Sequence, residues 1–209
     1  MRIDPHGLGG ASQRWLPQLK PPSVCQSPMT EDREDHRAPV NVTMRRRTLA
    51  GVPAIPRLAA PLALRGAHVG DTAALARLLG RAYAGEVWES AHVKREVLGD
   101  PTVRETLVVT SAERLIATAS LQLRPDAPDC GWVRWVATDP DRRREGCANA
   151  LVVSVLGMAA RTGCRDARIA TRTDRLAAVQ LYLKLGFEPL VTTDADRDVW
   201  ASVLSRLGR

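Results

Sequence analysis

Arg142, Arg143 and Arg144 stand directly before Glu145-Gly146-Cys147-Ala148, and that grouping has the makings of a diphosphate site. The residues ahead of it, Trp132, Val133, Trp135, Val136 and Thr138, are the β-branched and aromatic types that suit a pleated surface, which predicts a strand over 132–138. Asp139-Pro140-Asp141 ends the strand, because proline fixes φ and offers no N–H to a sheet. The apolar spacing then changes. Ala148, Leu151, Val152, Val155, Leu156 and Ala159 fall on one face of a helix. The first N–H groups of a helix have no partner inside it, and the aligned peptide dipoles put partial positive charge there. Gly146 and Ala148 leave the backbone accessible, and three guanidiniums surround the same point. Strand, arginine-rich turn and helix N-terminus together predict a pyrophosphate cradle. The plainer alternative is a surface βα turn with solvated arginines.

The order Arg143-x-x-Gly146-x-Ala148 resembles the acyl-CoA-binding signature of the GNAT superfamily of N-acetyltransferases. Leu181-Tyr182-Leu183-Lys184-Leu185-Gly186-Phe187 resembles the late motif of the same family, and it follows the first at a similar interval. The resemblance covers residues 62–191. It implies an α/β fold: a mixed, mainly antiparallel sheet with helices on both faces and a splayed central parallel strand pair. The slot between the parted strands would receive the pantetheine arm along Trp135, Val136, Ala137 and Thr138, with a β-bulge freeing backbone groups. Arg143, Arg144, Glu145, Gly146, Cys147, Ala148 and Asn149 would hold the pyrophosphate. Tyr182 matches the tyrosine that faces the CoA sulfur. The implied activity is transfer of an acetyl or other short acyl group from acyl-CoA to an amine by direct attack, with acetyl-CoA as donor and no metal. The resemblance also admits a homodimer.

Those roles have a chemical rationale. Aminolysis of a thioester expels a thiolate, and a phenol with an ordinary pKa of about 10 can donate to it while neutral at pH 7. The alternative for Tyr182 is simple packing against the sheet. The Val136 N–H is the candidate donor to the thioester oxygen, and proximity of amine and thioester supplies much of the rest. The base stays open. Arg134 is the only charged residue on the predicted central strand. Glu86, Glu89, His92 and Asp129 border the acceptor region, each with a solvated surface role as its alternative, and a water relay is equally admissible. Trp88, Trp132 and Trp135 suit either an acceptor wall or the core. Cys147, at a helix N-terminus among arginines, predicts a lowered thiol pKa and a conceivable regulatory thiol, with a small residue beside the phosphate as the blander role.

The elements that must position these groups follow from periodicity. A strand is predicted at 62–66, then a helix capped by Asp71 with Ala74, Leu75, Leu78, Leu79 and Ala82 on one face. A second helix runs over 87–98, then a hairpin of 105–110 and 115–123. The central strand and long helix come next, the helix ending near Gly163. A strand at 168–171, a helix capped by Thr173 or Asp174 and closed by Gly186, a strand at 187–191 and a final helix over 194–207, with a strand as its alternative, complete the chain.

The net charge of +7 suits anionic partners, but +4 of it lies in residues 1–60, so the remainder is only mildly basic. That weighs against general nucleic-acid binding, although Arg45–Arg47 and Arg142–Arg144 keep it as a third reading behind acyl transfer and a catalytically impaired acyl-CoA-binding module. Cys25, Cys130, Cys147 and Cys164 form no metal-binding pattern and fit a reducing cytoplasm. No apolar run reaches membrane-spanning length. Residues 1–60 are proline-rich and aperiodic, and are expected to be a disordered or loosely attached extension to a domain over 61–209. Arg45-Arg46-Arg47 before an apolar run faintly resembles an export signal, interrupted by Pro53 and Pro56. Met29 and Met44 are alternative starts.

Overall fold

A computed structural model describes residues 38–83 and 85–209. Its elements are β1 (Asn41–Arg46), β2 (Leu62–Gly66), α1 (Thr72–Ala82), and α2 (Ser90–Val93) running into a π-helical turn at Lys94–Leu98. Then come β3 (Val103–Ser111), β4 (Arg114–Leu123), β5 (Cys130–Thr138), α3 (Cys147–Arg161) and β6 (Asp166–Arg172). The chain closes with α4 (Leu176–Lys184), β7 (Glu188–Pro189) and α5 (Asp194–Arg206). Seven strands form one sheet in the order β2-β3-β4-β5-β6-β1-β7. Every neighbouring pair is antiparallel except β5 and β6.

Alternation along the strands divides the core in two. On β3, Leu107 and Val109 join the cluster of Leu151, Val155 and Leu156 from α3, while Val108 between them packs with Leu75 and Leu79 from α1. Helices therefore cover both faces, as expected. Among the described residues, no helix is long and apolar enough to cross a membrane.

The expected domain boundary at residue 61 is corrected. Asn41–Arg46 form an inner strand, paired with β6 along its whole length and with β7 at Met44 and Arg45. The signal was a short alternation: Val42 and Met44 point inward, Met44 with no exposure at all. The three arginines read as an export-like run have specific partners instead. Arg45 Nε donates to Asp166 (2.8 Å), Arg46 donates to the Leu185 carbonyl, and Arg47 pairs with Glu188 (2.9 Å). A start at Met44 would remove half of this strand. The expectation for residues 1–37 lies outside the described residues.

Three capping expectations also resolve. Asp71 precedes α1, but its carboxylate accepts from the His68 N–H (2.9 Å) and the fork of Arg65 (2.7 and 2.8 Å). It closes the 3-10 turn Val69–Asp71 rather than α1. Arg175, not Thr173 or Asp174, occupies the N-cap of α4. The Thr173 hydroxyl takes the Val40 N–H (3.1 Å) and Asp174 holds Arg172, so both side chains are already engaged. The final segment is a helix: Thr193 and Asp196 make a capping box, and the bonds that Asp196 receives, from Thr192 first, hold its carboxyl down to about 2.

Met44→Ala is expected to lower stability by about 2–5 kcal/mol, the usual range for deleting a fully buried long side chain; an unchanged urea midpoint would show that β1 is not integral. The Arg65 fork holds the Asp71 carboxyl below its usual range. Its contribution is then complete above the unfolded pKa of about 3.9 and is lost as pH falls through the lower folded value. The stability gap between wild type and Asp71→Asn should be open at pH 7 and close in acid; a gap constant from pH 7 to pH 2 would contradict the linkage.

Candidate active site

The parallel contact between β5 and β6 runs from Cys130↔Asp166 to Val133↔Ile169 and stops, although both strands continue. On its other edge β5 carries a bulge. Thr118 faces Ala137 and Ser120 faces Arg134, so Ala119 alone opposes Trp135 and Val136. Trp135 has φ +48°, a left-handed conformation that non-glycine residues adopt at a cost. Its ring packs in the α1-side core, and Arg134 lies 5.0 Å over its face. The slot, expected by resemblance, is thus present, and a cleft of about 1260 Å³ opens along it.

The clamp at the bulge was not anticipated. The Tyr83 hydroxyl, just past the end of α1, donates to the Val136 carbonyl (3.0 Å). Two residues earlier, Arg81 bonds Asp139 (2.8 Å) and Asp141 (2.7 Å). Asp139 is almost wholly buried and also accepts from Arg114 (2.7 Å) and the Asp141 N–H (3.1 Å). One end of α1 therefore fixes both the bulge and the turn leading into α3. The sequence marked Asp139 only as a strand stop, and Tyr83 lacked any motif.

The cradle has the expected backbone. Gly146 caps α3 at φ +79°, a conformation that favours glycine, and a Cβ there would meet nothing within 4 Å. Arg144 is also left-handed, at φ +68°. The N–H groups of Cys147, Ala148 and Asn149 open the helix with no intrahelical acceptor. Among the described residues, none bonds or pairs with the side chains of Arg143 or Arg144. Arg142 differs: its guanidinium holds Glu145 (2.5 and 2.9 Å) and keeps that carboxyl below its usual range. The expected trio of mobile charges is therefore a pair, and the Glu145 carboxylate is neutralised. Open space, unshared amides and two unpaired guanidiniums fit a diphosphate. Cys147 corrects another expectation. Its side chain is buried, and burial raises the thiol pKa, so it is no reactive thiol.

The late motif is a helix stop. Gly186 stands at φ +78°, the Phe187 N–H returns to the Tyr182 carbonyl (3.0 Å) and the Gly186 N–H to Leu183 (3.1 Å). The Phe187 ring then meets Tyr182 edge-on at 6.0 Å. Tyrosine, glycine and phenylalanine are thus the first carbonyl, the left-handed residue and the apolar closing contact of one turn. Tyr182 is 4% exposed and lines the cleft, and its hydroxyl has no hydrogen-bond partner among the described residues. Burial pushes its pKa well above 10, Tyr83 adds to the rise and Arg175 opposes it. Arg175 sits 4.5 Å over the Tyr83 ring. Its spacing of seven from Tyr182 puts both on one helical face, a signal the sequence did carry.

The cleft brings together Val136, Ala137, Thr138, Arg143, Arg144, Glu145, Gly146, Cys147, Ala148, Asn149 and Tyr182. Of the four base candidates, Glu86 and His92 line it and Glu89 and Asp129 do not. Asp129 pairs with Arg165 at the surface. Trp88 and Trp135 line the cleft, whereas Trp132 lies between the guanidiniums of Arg124 and Arg168.

Gly186→Ala is expected to cost about 1–2 kcal/mol from the left-handed backbone, and its Cβ would stand 2.7 Å from Arg46 Nη1, the cap on α4. Denaturant unfolding together with an activity assay reads both effects; full stability would mean that the turn tolerates a side chain.

Comparison with known proteins gives the family. The profile of the Acetyltransferase (GNAT) family matches residues 73–187. Mycothiol acetyltransferase from Actinosynnema mirum is 30% identical over 153 residues, which are 68% of this chain and 50% of that protein. The chain thus spans about half the length of that curated relative. A GNAT-family protein of known structure from Novosphingobium aromaticivorans is 25% identical, with TM-score 0.53 over 73% of this chain and 60% of that one. The PaiA N-acetyltransferase from Thermoplasma acidophilum, solved in complex with coenzyme A, is 13% identical and shares the fold at TM-score 0.55 over 63% of this chain and 92% of that one. With the parted strands, the helix-front cradle and a profile match spanning more than half its residues, the chain belongs to the GNAT acetyltransferase family.

Proposed function

We propose that this chain transfers an acetyl group from acetyl-CoA to an amine acceptor by direct attack. The observation that carries the proposal is the position of the Tyr182 phenol: unpartnered, in the wall of the cleft whose other end is the α3 cradle. In this reading the amides at the front of α3, with Arg143 and Arg144, hold the pyrophosphate. The pantetheine arm lies along Val136, Ala137 and Thr138. The Val136 carbonyl already receives the Tyr83 hydroxyl, so its remaining lone pair and the residue's N–H are what it offers the donor.

The amine nitrogen attacks the thioester carbonyl carbon, the carbon–sulfur bond breaks, and Tyr182 donates to the departing sulfur. A phenol whose pKa is raised by burial stays protonated through neutral and mildly alkaline pH, the state a donor requires. The amine proton leaves toward the side carrying Glu86 and His92. Glu86 accepts from the Trp88 indole N–H (3.2 Å), which fixes its direction without neutralising it. The described cysteines, Cys130, Cys147 and Cys164, are free and buried, which supports a reducing, cytoplasmic setting. Since a mycothiol acetyltransferase is 30% identical to this chain, mycothiol-type amines are among the acceptors to try.

Tyr182→Phe is expected to lower kcat by about 10²-fold, within the range for a lost proton donor, with acetyl-CoA affinity by calorimetry little changed. The alkaline fall of kcat in the wild type should begin only above the ordinary phenol value of about 10, since the folded group ionises later. Full activity in the phenylalanine variant would remove Tyr182 from the chemistry. Acetyl-CoA binding with no transfer to any amine would favour a binding module instead.

A further inference from the structure

Resting on that reading, the geometry points to an acceptor that is a carboxylate-bearing amine with an aromatic or bulky apolar group, of the aromatic α-amino-acid type. The acceptor side of the cleft is the end away from α3, and its walls are rings. Tyr83 and Trp88 lie 5.9 Å apart, Trp88 and His92 4.8 Å apart, and Trp135 closes the β5 side. Four charged residues join them: Glu86, Glu96, Arg134 and Arg175.

Their pairing decides the charge of the ligand. Glu96 is taken by Arg95 (2.8 Å). Glu86 receives only the neutral Trp88 indole. Arg134 and Arg175 have no carboxylate partner among the described residues, and each lies over a ring, Trp135 at 5.0 Å and Tyr83 at 4.5 Å. Arg175 first, then Glu86 and Arg134, act electrostatically on the Tyr83 phenol, so all three lie within reach of it. Among the groups lining this end, two guanidiniums without a bonded carboxylate stand against one such carboxylate, Glu86, while Asp100, outside the lining, also acts on Arg134. A polyamine is disfavoured there, since arginine already lies over a face of Tyr83 and of Trp135, where a bare cation would sit.

An amine that also carries a carboxylate matches all three groups. Its carboxylate meets the guanidiniums, whose planar forks suit that anion. Its nitrogen lies toward Glu86, and its apolar group packs on Trp88, which among the described residues has no guanidinium over its ring. The diphosphate of the donor does not compete for these arginines, because Arg143 and Arg144 serve the other end of the cleft.

The test uses the full chain with acetyl-CoA and matched acceptors: L-tryptophan against tryptamine, L-phenylalanine against phenethylamine, with spermidine and glycine as outliers. Release of free CoA thiol gives kcat/KM. Each carboxylate-bearing member should exceed its decarboxylated partner by at least about tenfold, the value of one lost charged contact. Arg134→Met and Arg175→Met should collapse that ratio toward one, and Arg134→Lys should restore part of it. Circular dichroism and acetyl-CoA calorimetry identify any variant that has lost its fold or donor site.

Preference for the decarboxylated amines or for spermidine overturns the inference while leaving acetyl transfer intact. A rise in acetyl-CoA KM with the acceptor ratio unmoved assigns the guanidiniums to the donor, and also overturns it. Absence of transfer to every amine removes the acyl-transfer reading and this inference together.

Discussion

The separation of β5 from β6 beyond Val133 and Ile169 is the constraint on which the rest of the molecule depends. Two neighbouring strands normally satisfy each other's backbone groups, and leaving them unmatched inside a protein is costly. The cost is contained on both sides. β6 keeps an unbroken partner in β1 from Asn41↔Arg172 to Arg46↔Ala167. β5 keeps β4, but through a bulge, and the bulged Val136 carbonyl is taken up by Tyr83. The cleft is therefore a defect in the sheet held open by good pairing on its far edges.

That arrangement explains why the N-terminal strand matters to a site it barely touches. β1 is what permits β6 to leave β5. Its Arg46 also caps the end of α4, the helix that carries Tyr182. On the opposite side, Arg81 and Tyr83 connect α1 to the bulge and, through Asp139, to the turn before the cradle. The bulge and the turn before α3 share these anchors, so a shift of α1 moves both at once. Strain at Trp135 and Arg144, each left-handed without being glycine, sits at the β5 bulge and just before the front of α3.

Much of this was legible in the chain. The strand–turn–helix around Arg142–Ala148, the late motif, the hairpin and the final helix all appear close to where periodicity and turn residues put them. These features are local: each is set by residues within a turn or two of one another. β1 was missed because its alternation is only two buried positions long, inside a proline-rich segment whose composition reads as extension. Asp71, Thr173 and Asp174 were misassigned because their side chains had other partners: Arg65, six residues back, for Asp71, Arg172, two residues back, for Asp174, and the Val40 N–H, from far off in the chain, for Thr173. Cys147 was expected to have a lowered thiol pKa from its place at a helix N-terminus among arginines, but burial first, and the Glu145 charge second, raise it.

By itself the sequence determined the left-handed glycine and open amides at the front of α3 and which phenol ends the late helix, because glycine conformation, helix-front amides and a glycine-closed turn are properties of short segments. Only the tertiary structure decided which charges remain free. Arg142 is spent on Glu145 and Glu96 on Arg95, while Arg134 and Arg175, beside aromatic rings, have no carboxylate partner among the described residues. The two ion pairs join near neighbours, but whether a close pair forms, and that Arg175 comes to lie over the Tyr83 ring, depends on where the fold points each side chain, which neither residue type nor spacing encodes.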